Sequence, residues 1–198
     1  MENYENNYEN NYDDLRLYSD ESQVLTLIKG LAGAIVGAVP GFLVWLLVAR
    51  LGYVSAYCGL FIAMGSVFCY SFMTKKGNLS PVIGFVVCTA VLVVSIILAV
   101  RTDWAWEFTK FFEETVFPDF RLSMMDYGFT SAEIHELYDE SLMEEFGFSE
   151  ATFGNCFRSL KVLVEYADAK SDYIFDYILS GACGLVGAGV TYTKFIKK

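Results

Sequence analysis

The chain has 198 residues, of which 55% are hydrophobic and only 19% are charged, and its formal net charge is −10. Soluble domains average about 25% charged residues. Four segments are nearly free of charge, at 30–49, 51–74, 77–100 and 177–193. A soluble all-α protein rarely lacks a polar helix face over such lengths, so the pattern favours a membrane protein. No nucleic-acid partner is expected.

The first 23 residues predict a disordered acidic tail. They contain the short repeat NYENNYENNY and are polar, rich in asparagine and tyrosine, and acidic. Such segments cannot bury enough apolar surface to fold. No basic N-terminal region or small-residue cleavage site accompanies the first apolar run, so we expect that helix to be retained.

The apolar runs predict four transmembrane helices. Crossing a bilayer takes about 17–25 helical residues. The first three spans are expected at about 27–49, 52–73 and 81–100, and the fourth lies within 173–198 together with a basic C-terminus. The expected fold is all-α, a membrane bundle of four helices with an extracytoplasmic segment of short helices, residues 101–172, between helices 3 and 4.

Basic residues beside the spans predict the orientation. They cluster at one side in a four-span arrangement: Lys29, Lys75, Lys76, Lys194, Lys197 and Lys198. Positive charge marks the cytoplasmic side, so both termini are expected to be cytoplasmic in the cell membrane. The segment 101–172 carries sixteen acidic and six basic residues and is expected outside.

The start of the outer segment predicts an amphipathic helix on the membrane surface. Between residues 103 and 115, aromatic side chains recur at helical spacing and charged residues lie opposite them. Pro118 is expected to end this helix. Thr130 and Glu133 then predict a capping box, Gly147 a helix end, and Ser149 the start of a further helix.

Small residues in the first and last spans predict close helix packing. In lipid, helices associate through tight packing rather than by hiding apolar surface. Two rows meet this condition: Gly30, Gly33, Gly37 and Gly41 in the first span, and Ser180, Gly184 and Ala188 in the fourth. We expect these rows to pack antiparallel and face to face; the alternative is that one row forms a homo-oligomer contact. Pro40 is expected to bend the first helix.

Several residues together suggest a resemblance to a known group of proteins. They are the pattern Gly30-x-x-Gly33-Ala34-x-x-Gly37, followed by Trp45, Gly52-Tyr53, Gly59 and the terminal Phe195-Ile196-Lys197-Lys198. The chain resembles a group of uncharacterised small bacterial multi-pass membrane proteins with a glycine-rich first helix. The likeness covers the first two spans and the last. It implies a four-helix membrane protein and carries no activity, substrate or catalytic residue.

Two charged residues within the spans are candidates for an intramembrane polar site. Lys29 lies one turn into the first span, and Asp176 lies one turn into the fourth, where Arg50 or Arg101 could meet it. Capping or snorkelling is the plainer interpretation of both. Cys156, the lone cysteine of the outer segment, is interpreted as a free thiol open to aqueous reagents. The five cysteines and His135 form no metal-binding spacing, so no cofactor is expected.

The sequence shows no set of residues that would support catalysis, so we expect no enzymatic activity. Two functions remain. The first is a non-enzymatic membrane interaction, anchoring or sensing protein that contacts a membrane-protein partner or a second copy of itself. The second is the protomer of an oligomeric channel or transporter. The spans hold few polar residues to line a pore, namely Ser55, Ser66, Ser71, Thr89, Ser95 and Thr191, which favours the first.

Overall fold

A computed structural model describes residues 2–50, 58–74 and 81–195, and within these ranges the chain is helical and contains no strand. Lys75, Lys76, Ser55, Lys197 and Lys198 lie outside the described residues. The helices are α1 (Glu2–Arg50), α2 (Cys58–Thr74), α3 (Pro81–Phe111), α4 (Phe117–Asp126), α5 (Ser131–Phe146), α6 (Phe153–Arg158), α7 (Leu160–Tyr166) and α8 (Lys170–Phe195). A π-helical turn, Phe112–Val116, joins α3 to α4.

Three stretches of helix are long and apolar enough to cross a membrane: Gln23–Ala49, Val82–Asp126 and Lys170–Thr193. A shorter apolar helix covers Gly59–Thr74. The all-α prediction is therefore confirmed, together with three of the four apolar helices at the length a bilayer requires.

The first helix is longer than the sequence suggests. α1 begins at Glu2, so it includes the segment for which the composition predicts a disordered tail. No glycine or proline precedes Gly30 to end the helix. α1 then continues through Pro40 to Arg50.

The chain divides into two compact units. The first comprises Met1–Ile96 and Ser180–Lys198, and the second is Ile97–Leu179. We call the second unit the helical domain. The division falls within α3 and α8, so each of these helices supplies residues to both units.

In the first unit, the glycine row of α1 packs on α2. A Cβ on Gly37 would overlap the carbonyl oxygen of Gly65, and a Cβ on Gly65 would overlap the carbonyl oxygen of Gly37. On Gly33 it would lie 2.9 Å from the carbonyl oxygen of Cys69, and on Gly41 2.6 Å from the backbone nitrogen of Ile62. The two backbones therefore approach so closely that no side chain fits between them.

Gly30 extends this contact, because a Cβ there would lie 2.5 Å from the Tyr70 ring. The nearest neighbours of all four glycines belong to α2. The predicted face-to-face pairing of the first and last spans is therefore wrong. The short helix α2 follows α1 in the chain, has Gly65 on its packing face, and takes the position that the sequence assigned to α8.

The small residues of α8 have other neighbours. Gly184 lies against Leu92 and Ile96 of α3, and the carbonyl oxygen of Ser180 lies against Gly59 of α2. Ser180 and Ala188 are both buried. The row in α8 thus faces α2 and α3.

The helical domain has a core of its own. Its buried side chains are Ala105, Phe108, Phe112, Tyr138, Leu142, Phe146, Phe148, Cys156, Leu160, Leu163 and Val164. Phe108 and Phe112 belong to the stretch for which the sequence predicts a helix lying on the membrane surface. That prediction is wrong, because the aromatic face of this stretch packs into the core of the domain.

Pro118 does not end the helix. The π-helical turn precedes it, with the N–H of Phe117 donating to the carbonyl oxygen of Phe112, and α4 begins with Pro118 in its first turn. Proline lacks an N–H and its ring crowds the carbonyl four residues earlier. The wider π-helical turn accommodates both effects, and the helix continues to Asp126.

The capping predictions are confirmed at α5. The Thr130 hydroxyl accepts from the N–H of Glu133, and the N–H of Thr130 donates to the Glu133 carboxylate. Hydrogen bonds from Thr130 lower the pKa of Glu133. Gly147 caps the other end with φ 77. The predicted start at Ser149 is wrong: α6 begins at Phe153, and Thr152 caps it by accepting from the N–H of Asn155.

Candidate functional site

Asp176 belongs to a polar cluster of the helical domain. The indole Nε1 of Trp104 donates to Oδ2 of Asp176 at 2.8 Å. Tyr173 packs edge-on against the Trp104 ring, with centroids 5.5 Å apart, and its hydroxyl lies 2.8 Å from that of Tyr177. The sequence predicted Arg50 or Arg101 as partners of Asp176, whereas the structure places the indole of Trp104 there.

Arg101 has its own partners within the domain. Its Nη2 donates to the carbonyl oxygen of Phe157 at 2.9 Å, and the guanidinium lies 4.8 Å from the centre of the Phe157 ring. This combination of a hydrogen bond and a cation–π contact fixes the end of α6 to α3. Arg101 therefore has a structural role in holding the domain together.

Asp103 completes the polar cluster. Burial raises the pKa of its carboxyl group to about 6, and the negative charges of Glu107 and Asp176 add to the rise. A buried carboxyl group next to other acids holds its proton more tightly than a solvated one. No local sequence pattern points to Asp103, because its burial depends on the packing of α3 within the domain.

Lys29, the other predicted polar residue, is exposed on α1. Its side chain lies on the surface of the first unit. This position suits a residue at the membrane interface, whose long side chain reaches water.

The outer face of α5 is acidic. Ile134, Tyr138, Leu142 and Phe146 are buried at four-residue spacing. Between them, Glu136, Asp139, Glu140 and Glu144 are exposed. His135 also lies on the surface, with its ring 4.7 Å from that of Phe117. A row of solvated carboxylates on a rigid helix forms a negatively charged surface that could attract a basic partner.

Two cavities border the buried face of this helix. The first has a volume of about 540 Å³ and is lined mainly by aromatic and aliphatic side chains. The second has about 380 Å³ and a polar wall that includes Glu113, His135, Asp139 and Glu150. Phe112 and Tyr138 line both cavities. Volumes of this size are in the range of small-molecule sites.

The Tyr138 hydroxyl is buried, and within the described part of the chain it has no hydrogen-bond partner. Burial raises its pKa to about 12. The hydroxyl therefore stays protonated at physiological pH.

Cys156 is fully buried in the core of the domain. Burial raises the pKa of its thiol. The prediction that Cys156 is open to aqueous reagents is wrong, because α6 turns its thiol inward while its polar neighbours face solvent. In residues 2–50, 58–74 and 81–195, no three histidine, cysteine or acidic side chains are grouped so that they could hold a metal ion.

Hydroxyl groups in the apolar helices mostly satisfy their own backbone. Ser66 donates to the carbonyl oxygen of Ile62, and Thr191 donates to that of Gly187, both within one helical turn. Ser71 does the same with Phe68. Each of these hydroxyls uses its only hydrogen within its own helix and keeps its oxygen lone pairs. The Thr89 hydroxyl is buried and has no hydrogen-bond partner among the described residues.

These observations define the class as an all-helical protein with three helices of membrane-crossing length and a helical domain that has its own aromatic core. In comparisons with known proteins, no family model, curated protein or solved structure matches the chain.

Proposed function

We propose that the chain is a four-span protein of the cell membrane that binds partner proteins through the acidic face of its helical domain. Besides the three long helices, the proposal counts α2 as a span; its described part is short but contains no charged residue. The termini would be cytoplasmic and the domain extracytoplasmic, in keeping with the basic residues beside the spans. Membership of the bacterial multi-pass group that the sequence resembles belongs to the same proposal.

The observation that carries the proposal is the construction of the helical domain. Its core consists of packed aromatic rings, such as Phe112 with Phe146 at 5.5 Å and Phe146 with Phe148 at 5.7 Å. A domain with its own core presents a fixed surface, and the fixed surface of α5 is negatively charged. A fixed shape and a negative charge both suit a non-enzymatic interaction or sensing role. The partner that this surface would bind is a protein with a basic surface.

Site-specific photo-crosslinking in cells tests this proposal. A benzophenone amino acid at Glu140 should give discrete protein adducts, whereas the same amino acid at Val86, an exposed apolar position of α3, is the matched control. The double variant Glu136→Lys with Glu144→Lys should abolish the adducts of position 140. Adducts that persist unchanged in that variant, or no adducts at position 140, would overturn the proposal.

The alternative function is a channel or transporter protomer. It has less support, because the spans contain few polar residues that could line a pore. Purified protein in liposomes distinguishes the two functions. Ion-selective flux that is unchanged in the double variant Glu136→Lys with Glu144→Lys would support the channel and count against the interaction role.

A further inference from the structure

The larger cavity of the helical domain is built from rings. Its wall includes Phe108, Phe111, Phe112, Phe120, Phe146 and Tyr166, and its volume is about 540 Å³. Apolar cavities of this kind hold apolar molecules, since water gains few hydrogen bonds there. The rings are held in place by edge contacts, among them Phe146 with Tyr166 at 5.0 Å. Phe111 is 50% and Tyr166 61% exposed, so the cavity opens at the surface of the domain, while buried rings such as Phe112 and Phe146 form its inner wall.

The wall also contains the π-helical turn. Phe112 and Val116, its first and last residues, both line the cavity. The turn changes the direction in which successive side chains point, so Phe112 lies in the core while Phe120 of α4 reaches the same cavity from further along the chain. Turns of this type occur frequently at functional sites, because they open space beside a helix.

The only charged side chain on the cavity wall, among the residues that the structure describes, is Glu145. Ser141 lies beside it on the same face of α5. A carboxylate and several ring faces attract a positive charge and repel a negative one. The net negative charge of the segment 101–172 also attracts cations and repels anions.

We propose that this cavity binds an amphiphilic amine, with its apolar part among the phenylalanine rings and its ammonium group at Glu145. The ligand class is a small molecule with a largely apolar body and one positively charged group. The inference goes beyond the proposed partner binding and does not depend on it, since the cavity and the outer acidic face of α5 are different surfaces.

Photolabelling of the full-length protein in lipid nanodiscs tests the proposal. The probe is a phenyl diazirine with a short alkyl-ammonium tail, and two analogues carry a neutral amide or a sulfonate in place of the ammonium. Labelled peptides are identified by mass spectrometry. The ammonium probe should label residues 108–120, 138–146 and 163–167 in preference to both analogues.

Two pairs of variants separate cavity binding from general partition into lipid. Ala167→Phe adds a ring at the cavity wall and should reduce labelling about tenfold, as expected for a blocked apolar site. Ala132→Phe places the same ring on an exposed part of α5 and should leave it unchanged. Glu145→Gln should abolish the preference for the ammonium probe, whereas Glu140→Gln, outside the cavity, should not.

Labelling that is confined to the apolar helices, or that is equal in the Ala167→Phe and Ala132→Phe proteins, would overturn the proposal. Equal labelling by the ammonium and neutral probes would also overturn it, because the ligand class rests on the charge of Glu145. Thermal unfolding of each variant, measured beside the wild type, identifies any loss of signal that comes from misfolding.

Discussion

Gly37 of α1 and Gly65 of α2 lie against each other through their backbones, and a side chain on either residue would overlap the carbonyl oxygen of the other. Because the contact is reciprocal, neither helix can shift at this point without moving the other. In a membrane, where apolar helices gain little from hiding from lipid, close approach of this kind supplies the association energy.

We predict that Gly37→Ala destabilises the first unit. The added methyl group collides with backbone atoms, which cannot rotate away, and overpacking of this kind costs about 1–3 kcal/mol. The expected result is a lower midpoint in thermal or detergent-induced unfolding. Gly65→Ala should have a similar effect.

Gly189→Ala is the matched control, because a Cβ on Gly189 meets no atom within 4 Å. Alanine is also the better helix former. We expect this variant to be as stable as the wild type or slightly more stable. Equal losses in the Gly37 and Gly189 variants would show that the contact between α1 and α2 does not explain the glycine row.

The hydrogen bond between Trp104 and Asp176 gives a second prediction. Trp104→Phe keeps a ring against Tyr173 but leaves the half-buried carboxylate of Asp176 without its donor. The free energy of unfolding of the helical domain should fall by about 1–3 kcal/mol. Asp176→Asn retains an acceptor oxygen and should lose less, and stability equal in both variants to that of the wild type would contradict the assignment.

The raised pKa of Asp103 predicts that the stability of the folded protein depends on pH. Its pKa is raised from 3.8 to about 6 in the folded protein, so the folded chain holds this proton more tightly than the unfolded chain. Its contribution to stability is therefore fully present below about pH 4 and is lost as the pH rises through 6. Asp103→Asn should remove this loss and stabilise the protein above pH 6 by about 1–3 kcal/mol.

Unfolding midpoints measured from pH 4 to pH 8 test this prediction. Asp119→Asn is the matched control, since Asp119 is exposed on α4. The control should keep the pH profile of the wild type. A profile that is the same for Asp103→Asn and the wild type would show that Asp103 titrates at its ordinary value.

Thiol labelling tests both the burial of Cys156 and the proposed orientation. Native Cys156 should not react with an impermeant maleimide until the protein is denatured, because its thiol is buried in the domain core. Glu140→Cys should react on intact cells, while Lys29→Cys should react only after permeabilisation. The reverse pattern for these two positions would overturn the proposed topology, and rapid reaction of native Cys156 would contradict its burial.

Local signals in the sequence were sufficient for several features. The apolar runs predicted the long helices, since a segment that crosses a bilayer must be predominantly apolar. The Thr130 and Glu133 pair predicted the start of α5, because a capping box depends on residues three positions apart. Both features are determined by neighbours in the chain.

Features that depend on tertiary packing could not be predicted in this way. The aromatic stripe of α3 is the same whether it faces lipid or a protein core, so Phe108 and Phe112 were assigned to the wrong surroundings. The small residues of α1 and α8 suit any close partner, and the sequence does not show that α2 takes the place beside α1. The cavity near Glu145 is lined by three separate segments of the chain, 108–120, 138–146 and 163–167, and none of them carries a sequence pattern that predicts it.

The π-helical turn at Phe112–Val116 has a consequence for how this segment can change in evolution. Such a turn contains one residue more than the α-helical turn it replaces. Deletion of a single residue within it would restore an uninterrupted α-helix and leave the downstream helix facing the same way, because the wider turn absorbs the extra residue. Pro118 would then lie in the interior of an α-helix, where its ring crowds the carbonyl group four residues earlier. We therefore expect homologues that lack this extra residue to carry another amino acid at the position of Pro118.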